Sequence, residues 1–186
     1  HHMHGQAPSR GLIRALHQDL TVEDGRTADD LRRRSIQIPA SGAKVFPRSA
    51  RQARMFDALD SETLNFFVGP AGTGKTFLAV AHALREVLAK RKRKLVLTRP
   101  VVEAGESLGY LPGDLSQKIS PYLRPLYDAI EALVPYEIIR RLEEQNVIEI
   151  APLAYMRGRS LRDSYVILDE AQNTTREQMK MFLTRL

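Results

Sequence analysis

No cysteine occurs among the 186 residues, which excludes disulfides and thiolate metal sites and suits a reducing compartment. No run of about 20 apolar residues is present, so no membrane span is expected. The opening residues carry no signal-peptide pattern, and the expected setting is the cytoplasm. His1-His2-Met3 reads as the remnant of an affinity tag and takes no part in the fold argument. Acidic residues are outnumbered by Lys and Arg, 22 to 28, for a net charge of +6. That balance favours a polyanionic partner such as RNA or DNA, although many basic proteins bind neither. The length is that of one domain able to bury a real core.

What is present is concentrated after residue 45. Residues 4–45 are polar and charged and read as a partial N-terminal extension, with a short helix expected at Thr27–Leu31 and an edge strand at Ser35–Ile38. Arg32-Arg33-Arg34 reads there as a solvated face. Ser49 opens a helix expected to reach Asp60. Gln52 stands three residues beyond that start and has two readings of about equal weight. It closes a capping box with Ser49, or its amide recognises an adenine edge by donating and accepting at once. The interval from Gln52 to Lys75 is similar to that of the glutamine motif in helicase-like ATPases.

The strongest pattern is Gly69-Pro70-Ala71-Gly72-Thr73-Gly74-Lys75-Thr76, which fits G-x-x-x-x-G-K-[ST], the phosphate-binding loop of nucleoside triphosphatases. Thr63–Val68 before it is rich in β-branched and aromatic residues and predicts a strand. Phe77, Leu78, Ala81, Leu84 and Leu88 after it recur at helical spacing. Strand, glycine turn and helix form the context the motif needs. The glycines let successive backbone N–H groups surround a phosphate, and the helix N-terminus adds positive potential. Lys75 is expected on the β- and γ-phosphates, and the Thr76 hydroxyl on Mg²⁺.

Leu95–Thr98 predicts the next strand. The basic run Lys90–Lys94 precedes it, at the end of the sheet away from the ligand. Residues 102–113 read as a long connection with turns at Gly105, Gly109 and Pro112-Gly113. Asp114 is expected to cap a short helix, and Pro125 to begin or kink the next one. Pro135 starts a further helix, and Val147–Ile150 predicts a third strand. Tyr165–Leu168, continuously apolar, has the mark of a buried parallel strand, and Asp169-Glu170 ends it. An acidic pair after such a strand, downstream of a phosphate loop, is the Walker B pattern. Asp169 is expected to bind Mg²⁺ and Glu170 to orient and polarise the attacking water. Gln172 is placed to sense the γ-phosphate, and Thr174 with Glu177 is expected to cap a last amphipathic helix. Arg99, Arg157 and Arg159 each follow the C-terminal end of a strand. They are therefore expected on the loop's edge of the sheet, where guanidinium groups can fork onto a phosphate backbone; for Arg157 and Arg159 the alternative is a pair of structural ion-pair partners.

These segments resemble a family as a set. Gly69–Thr76, Leu97–Glu106, Leu111–Leu115, Pro121–Asp128, Ile148–Arg159, Leu168–Asn173 and Gln178–Leu186 are similar to the bacterial PhoH family, the phosphate-starvation-inducible type, from about residue 46 to the end. The resemblance implies an α/β fold of three layers, RecA-like, with a mostly parallel sheet and related to superfamily 1 helicases. It further implies ATP and Mg²⁺ as ligands, single-stranded RNA as partner, and a homo-oligomer, often a ring. Members carry a strand after the acidic pair with a Gly-Asp-x-x-Gln-type motif, and then a candidate arginine finger. That strand inserts between the loop strand and the Walker B strand. The core over residues 46–186 is accordingly expected to be incomplete at its C-terminus, and to leave Phe66–Val68 unpaired with Val166–Leu168. The function expected is an ATPase acting on RNA; the alternative is a nucleotide-dependent oligomerisation switch with little hydrolysis.

Overall fold

The computed structural model describes residues 33–101 and 115–186, the side chains of 115–118 excepted. The helix expected at Thr27–Leu31, the connection 102–113 and the Asp114 cap lie outside the described residues.

A small antiparallel pair comes first, β1 (Ile36–Gln37) with β2 (Lys44–Val45). Ile36 and Val45, cross-strand partners, are both buried. Helix α1 (Ala50–Ser61) follows, the hydroxyl of its N-cap Ser49 accepting from the Gln52 backbone N–H at 3.3 Å. Helix α2 (Lys75–Leu88) begins on the glycine loop.

Among the described residues the larger sheet holds three parallel strands: β3 (Lys94–Arg99), β4 (Ile148–Pro152) and β5 (Ser164–Leu168), in the order β4-β3-β5. Side chains alternate between its faces. Leu95 and Leu97 of β3 join the core formed with α2, α3 (Leu115–Glu131) and α4 (Tyr136–Glu144). Val96 points the other way, into a second cluster with Ala151, Leu153, Met156, Leu161 and Phe182. Phe182 belongs to α5 (Arg176–Leu183). Helices thus cover one face, and a short crossover with α5 covers the other. Each fully buried Leu or Ile in these layers is worth about 1.5–3 kcal/mol. This mixed α/β arrangement about a parallel sheet is compatible with a P-loop NTPase fold.

Three expectations change. Helix α3 runs unbroken through Pro121 and Pro125. Each costs the helix roughly 3 kcal/mol, but both sit on its exposed side. Its other side buries Ile119, Leu123, Leu126 and Ile130, enough to offset that cost. The last helix is capped by Thr175 with Gln178, a full capping box, one residue later than Thr174 with Glu177. Thr63–Val68 forms no strand. Its residues alternate as a strand's would, Phe67 packing inward while Leu64, Phe66 and Val68 are 54%, 65% and 97% exposed. No neighbour among the described residues offers it backbone partners, and a ladder needs two strands. In particular, Phe66–Val68 does not pair with Val166–Leu168; the one partner of β5 among the described residues is β3.

A buried polar group ties three of these elements together. His82 of α2 lies 2% exposed, its Nδ1 3.0 Å from the Tyr165 hydroxyl of β5 and its Nε2 3.0 Å from Asp60 Oδ1 of α1. Arg85 Nη2 also approaches Nε2, at 2.7 Å, and bonds Asp60. Burial outweighs Asp60 and holds the His82 pKa below its usual 6.5. The unfolded chain therefore takes up that proton first, so this contribution to stability is present above pH 6.5 and is lost as pH falls through the lower folded value. A second loss follows at lower pH, where Glu86 and Glu149 titrate. Arg91 beside Glu86 and Arg159 beside Glu149 pull each carboxyl down from 4.5 to about 2. Melting temperatures followed from about pH 8 to about pH 2 are expected to fall in these two stages. His82→Gln should abolish the upper stage alone; an unchanged upper stage would free His82 of that role.

Candidate functional site

The site assembles where the glycine loop meets the C-terminal ends of β3 and β5. Two loop glycines take left-handed backbone angles, Gly72 at φ 74° and Gly74 at φ 83°. Gly74 is the N-cap of α2, and a Cβ there would meet the Gln52 amide nitrogen at 3.3 Å. Backbone freedom and a tight approach thus both favour glycine at this position. Thr73 closes the turn by donating its hydroxyl to the Pro70 carbonyl at 2.9 Å.

Lys75 folds back over the loop, its Nζ 2.8 Å from the carbonyls of both Gly69 and Pro70. The ammonium therefore stands at the loop's mouth, above the N-terminus of α2. Thr76, next in the helix, donates its hydroxyl to Asp169 Oδ1 at 2.7 Å, joining residues 93 positions apart. Asp169 is fixed in turn by its own N–H, which donates to the Thr98 carbonyl at 2.9 Å. Among the described residues no group of three or more His, Asp or Glu gathers as a metal cluster. The oxygen pair Thr76 and Asp169 suits a hard cation that takes few protein ligands and draws the rest from water or phosphate, the habit of Mg²⁺.

Glu170 adopts φ 52°, ψ 39°, a left-handed backbone that costs a residue with a Cβ roughly 1–2 kcal/mol. Its carboxylate is bracketed. Arg99 Nη2 lies 3.4 Å from Oε1, and the Gln172 amide donates to Oε2. Arg99 Nη1 is 3.9 Å from Asp169 Oδ2.

Gln52 takes a course between its two sequence readings. Its Nε2 donates to the Thr73 carbonyl at 2.9 Å, and its Oε1 accepts from the Arg48 N–H. The side chain braces the loop backbone, and closes no reciprocal bond with Ser49.

The three arginines expected on one edge separate. Arg99 is there, held by the acidic pair. Arg157 is exposed just beyond the turn Leu153–Met156. Arg159 is a correction: it bonds both carboxylate oxygens of Glu149, which also pairs with Lys94. Glu149 stands opposite Val96 in the ladder, so Arg159 lies on the sheet face away from the loop and beside the basic run. A parallel crossover must travel back down the sheet to start the next strand, and Arg159 is already on that return path. The residues that sequence reasoning passed over are His82, Tyr165 and Asp60. Their one signal is a histidine inside the buried run Leu78–Leu84.

Loop, helix and acidic strand end, gathered at one end of the sheet, are compatible with the P-loop NTPase class. Comparison with known proteins narrows this. The family profile described as "PhoH-like protein" matches residues 44–186. A PhoH-like protein of Mycobacterium tuberculosis (strain ATCC 25618 / H37Rv) is 58% identical over 145 residues, covering 78% of this chain and 41% of that protein. A PhoH-like protein of Bacillus subtilis (strain 168) is 56% identical over 147 residues, 79% of this chain and 46% of that one. Protein PhoH of Escherichia coli (strain K12) is 43% identical over 144 residues, 76% and 41% of the two chains. The chain belongs to the PhoH family, and it spans less than half the length of these relatives.

Proposed function

We propose that the chain carries the nucleotide site of a Mg²⁺-dependent ATPase, RecA-like in its core, that couples ATP hydrolysis to the binding or remodelling of single-stranded RNA in the cytoplasm. One observation carries the reading: the Thr76–Asp169 hydrogen bond of 2.7 Å. It joins the phosphate loop to the acidic strand end, the two halves that phosphoryl transfer needs side by side. Lys75 and the loop amides would hold the β- and γ-phosphates, Thr76 and Asp169 the metal, and Glu170 the water. Gln172 would report on the γ-phosphate through its bond to Glu170. Mg²⁺ would supply charge neutralisation across the phosphates. Gln52, engaged with the Thr73 carbonyl, would brace the loop and remains the candidate for the adenine edge. RNA is supported by the +6 net charge and by the exposed Arg157, which follows the turn leaving the C-terminal end of β4. No helix of the described residues is long and apolar enough to cross a membrane.

The test is ATP turnover with and without single-stranded RNA. Turnover that RNA accelerates supports the reading. Slow turnover indifferent to RNA, with assembly that follows bound nucleotide, would favour the oligomerisation switch. Failure to bind ATP with Mg²⁺ would refute both.

A further inference from the structure

Arg99 was expected to face a nucleic acid. Its surroundings assign it other work. It ends β3 on the face of Leu95 and Leu97, the face that carries α2 and the loop. Its side chain is 21% exposed, and three acceptors converge on it. Besides Glu170 Oε1 and Asp169 Oδ2, it donates to the Tyr122 carbonyl of α3 at 3.4 Å. That third contact matters, because it fixes the guanidinium to a helix that carries none of the site's carboxylates.

Asp169 is consequently shared. One oxygen takes the Thr76 hydroxyl at 2.7 Å, and the other faces the guanidinium at 3.9 Å. Any divalent cation drawn to Thr76 and Asp169 enters beside a charge that cannot be neutralised, since arginine stays protonated in proteins. Glu170, meanwhile, keeps a left-handed backbone that nothing in its own side chain favours. Arg99 on one oxygen and Gln172 on the other hold the carboxylate in place.

We propose that Arg99 is the built-in counter-ion and positioning residue of the acidic pair. It competes with a divalent cation for Asp169 and aims Glu170. The proposal rests on the ATPase reading above. It predicts two separable effects of removing the charge: the metal binds more readily, and turnover falls because Glu170 loses its aim.

The experiment uses Arg99→Met, which keeps the apolar stem, and Arg99→Lys, which keeps the charge. The first readout is the Mg²⁺ concentration that half-saturates binding of a fluorescent ATP analogue. In Arg99→Met it should fall by roughly twofold to fivefold, the upper part of the range for a partly exposed ion pair. The second is steady-state hydrolysis, where kcat should drop by about tenfold or more with KM held within about twofold. Arg99→Lys should restore the Mg²⁺ response but only part of kcat, because an ammonium cannot fork across two carboxylates. Identical Mg²⁺ titrations and kcat in wild type and Arg99→Met would overturn the assignment and leave the ATPase reading intact. Loss of analogue binding in Arg99→Met, with a lowered melting temperature and recovery by Arg99→Lys, would make Arg99 a structural brace and also overturn it. A wild type that binds no analogue at any Mg²⁺ concentration would sink the ATPase reading, and this proposal with it.

Discussion

Lys75→Ala should lower ATP affinity by about a hundredfold or more, close to the loss of one charged hydrogen-bonded contact to phosphate. The geometry makes the loss larger than a missing contact alone. The Lys75 ammonium lies 2.8 Å from the Gly69 and Pro70 carbonyls and covers their negative ends. Without it, those two oxygens face an incoming phosphate directly. The fold should hardly notice, since these bonds are exposed ones at the loop's mouth. Melting temperature is therefore expected to stay within a degree or two, roughly the effect of a surface change. Calorimetric titration with ATP and Mg²⁺, read beside a melting curve, checks both halves. Unchanged affinity would remove the loop from the nucleotide site.

Glu170→Gln separates binding from chemistry. Turnover should fall by about 10²- to 10⁴-fold, the usual worth of a positioned general base, while analogue affinity stays within about twofold. Glutamine keeps the length and shape of glutamate but has one donor end. Its oxygen must stay toward Arg99, which only donates. Its NH₂ then meets the Gln172 amide, which has to turn over so that its oxygen accepts. That exchange is available to an amide partner, so the local structure survives. Single-turnover hydrolysis beside equilibrium binding measures the two quantities. Undiminished hydrolysis would show that another group activates the water.

The loop and the acidic pair were legible because their signals are short-range: glycines at fixed spacing, and two carboxylates closing an apolar strand. Strands β3, β4 and β5 were legible for the same reason. What could not be read depends on partners distant in sequence. Arg159 follows a strand as Arg99 does, yet the crossover carries one to Glu149 while the other stays at the acidic pair. Gln52 had two local readings, and the loop backbone, 21 positions on, supplied a third. Thr63–Val68 has strand composition and alternation, but a strand exists only beside another. Pro121 and Pro125 signal a break that α3 overrides, because the energy of its buried side outweighs a local preference. His82 drew no reading of its own from the sequence; its importance lies in two partners from other elements, Asp60 and Tyr165.

The parallel sheet has a kinetic consequence. Its central strand is the first of the three to be synthesised, and both its neighbours come much later: Leu95 awaits Ile148, and Lys94 awaits Ser164. Parallel pairs cannot be closed by a hairpin, so each ladder demands that a long intervening stretch be brought round first. Folding of this sheet should therefore be slow compared with that of a helical domain of equal size, and the lag should fall on β3. Until then Leu95, Val96 and Leu97, all fully buried in the finished molecule, form an apolar segment with two open edges. On a ribosome that interval is when the nascent chain most needs a chaperone. The flanking charges, Lys92, Arg93 and Lys94 on one side and Arg99 on the other, are what the sequence provides to keep such segments from finding one another.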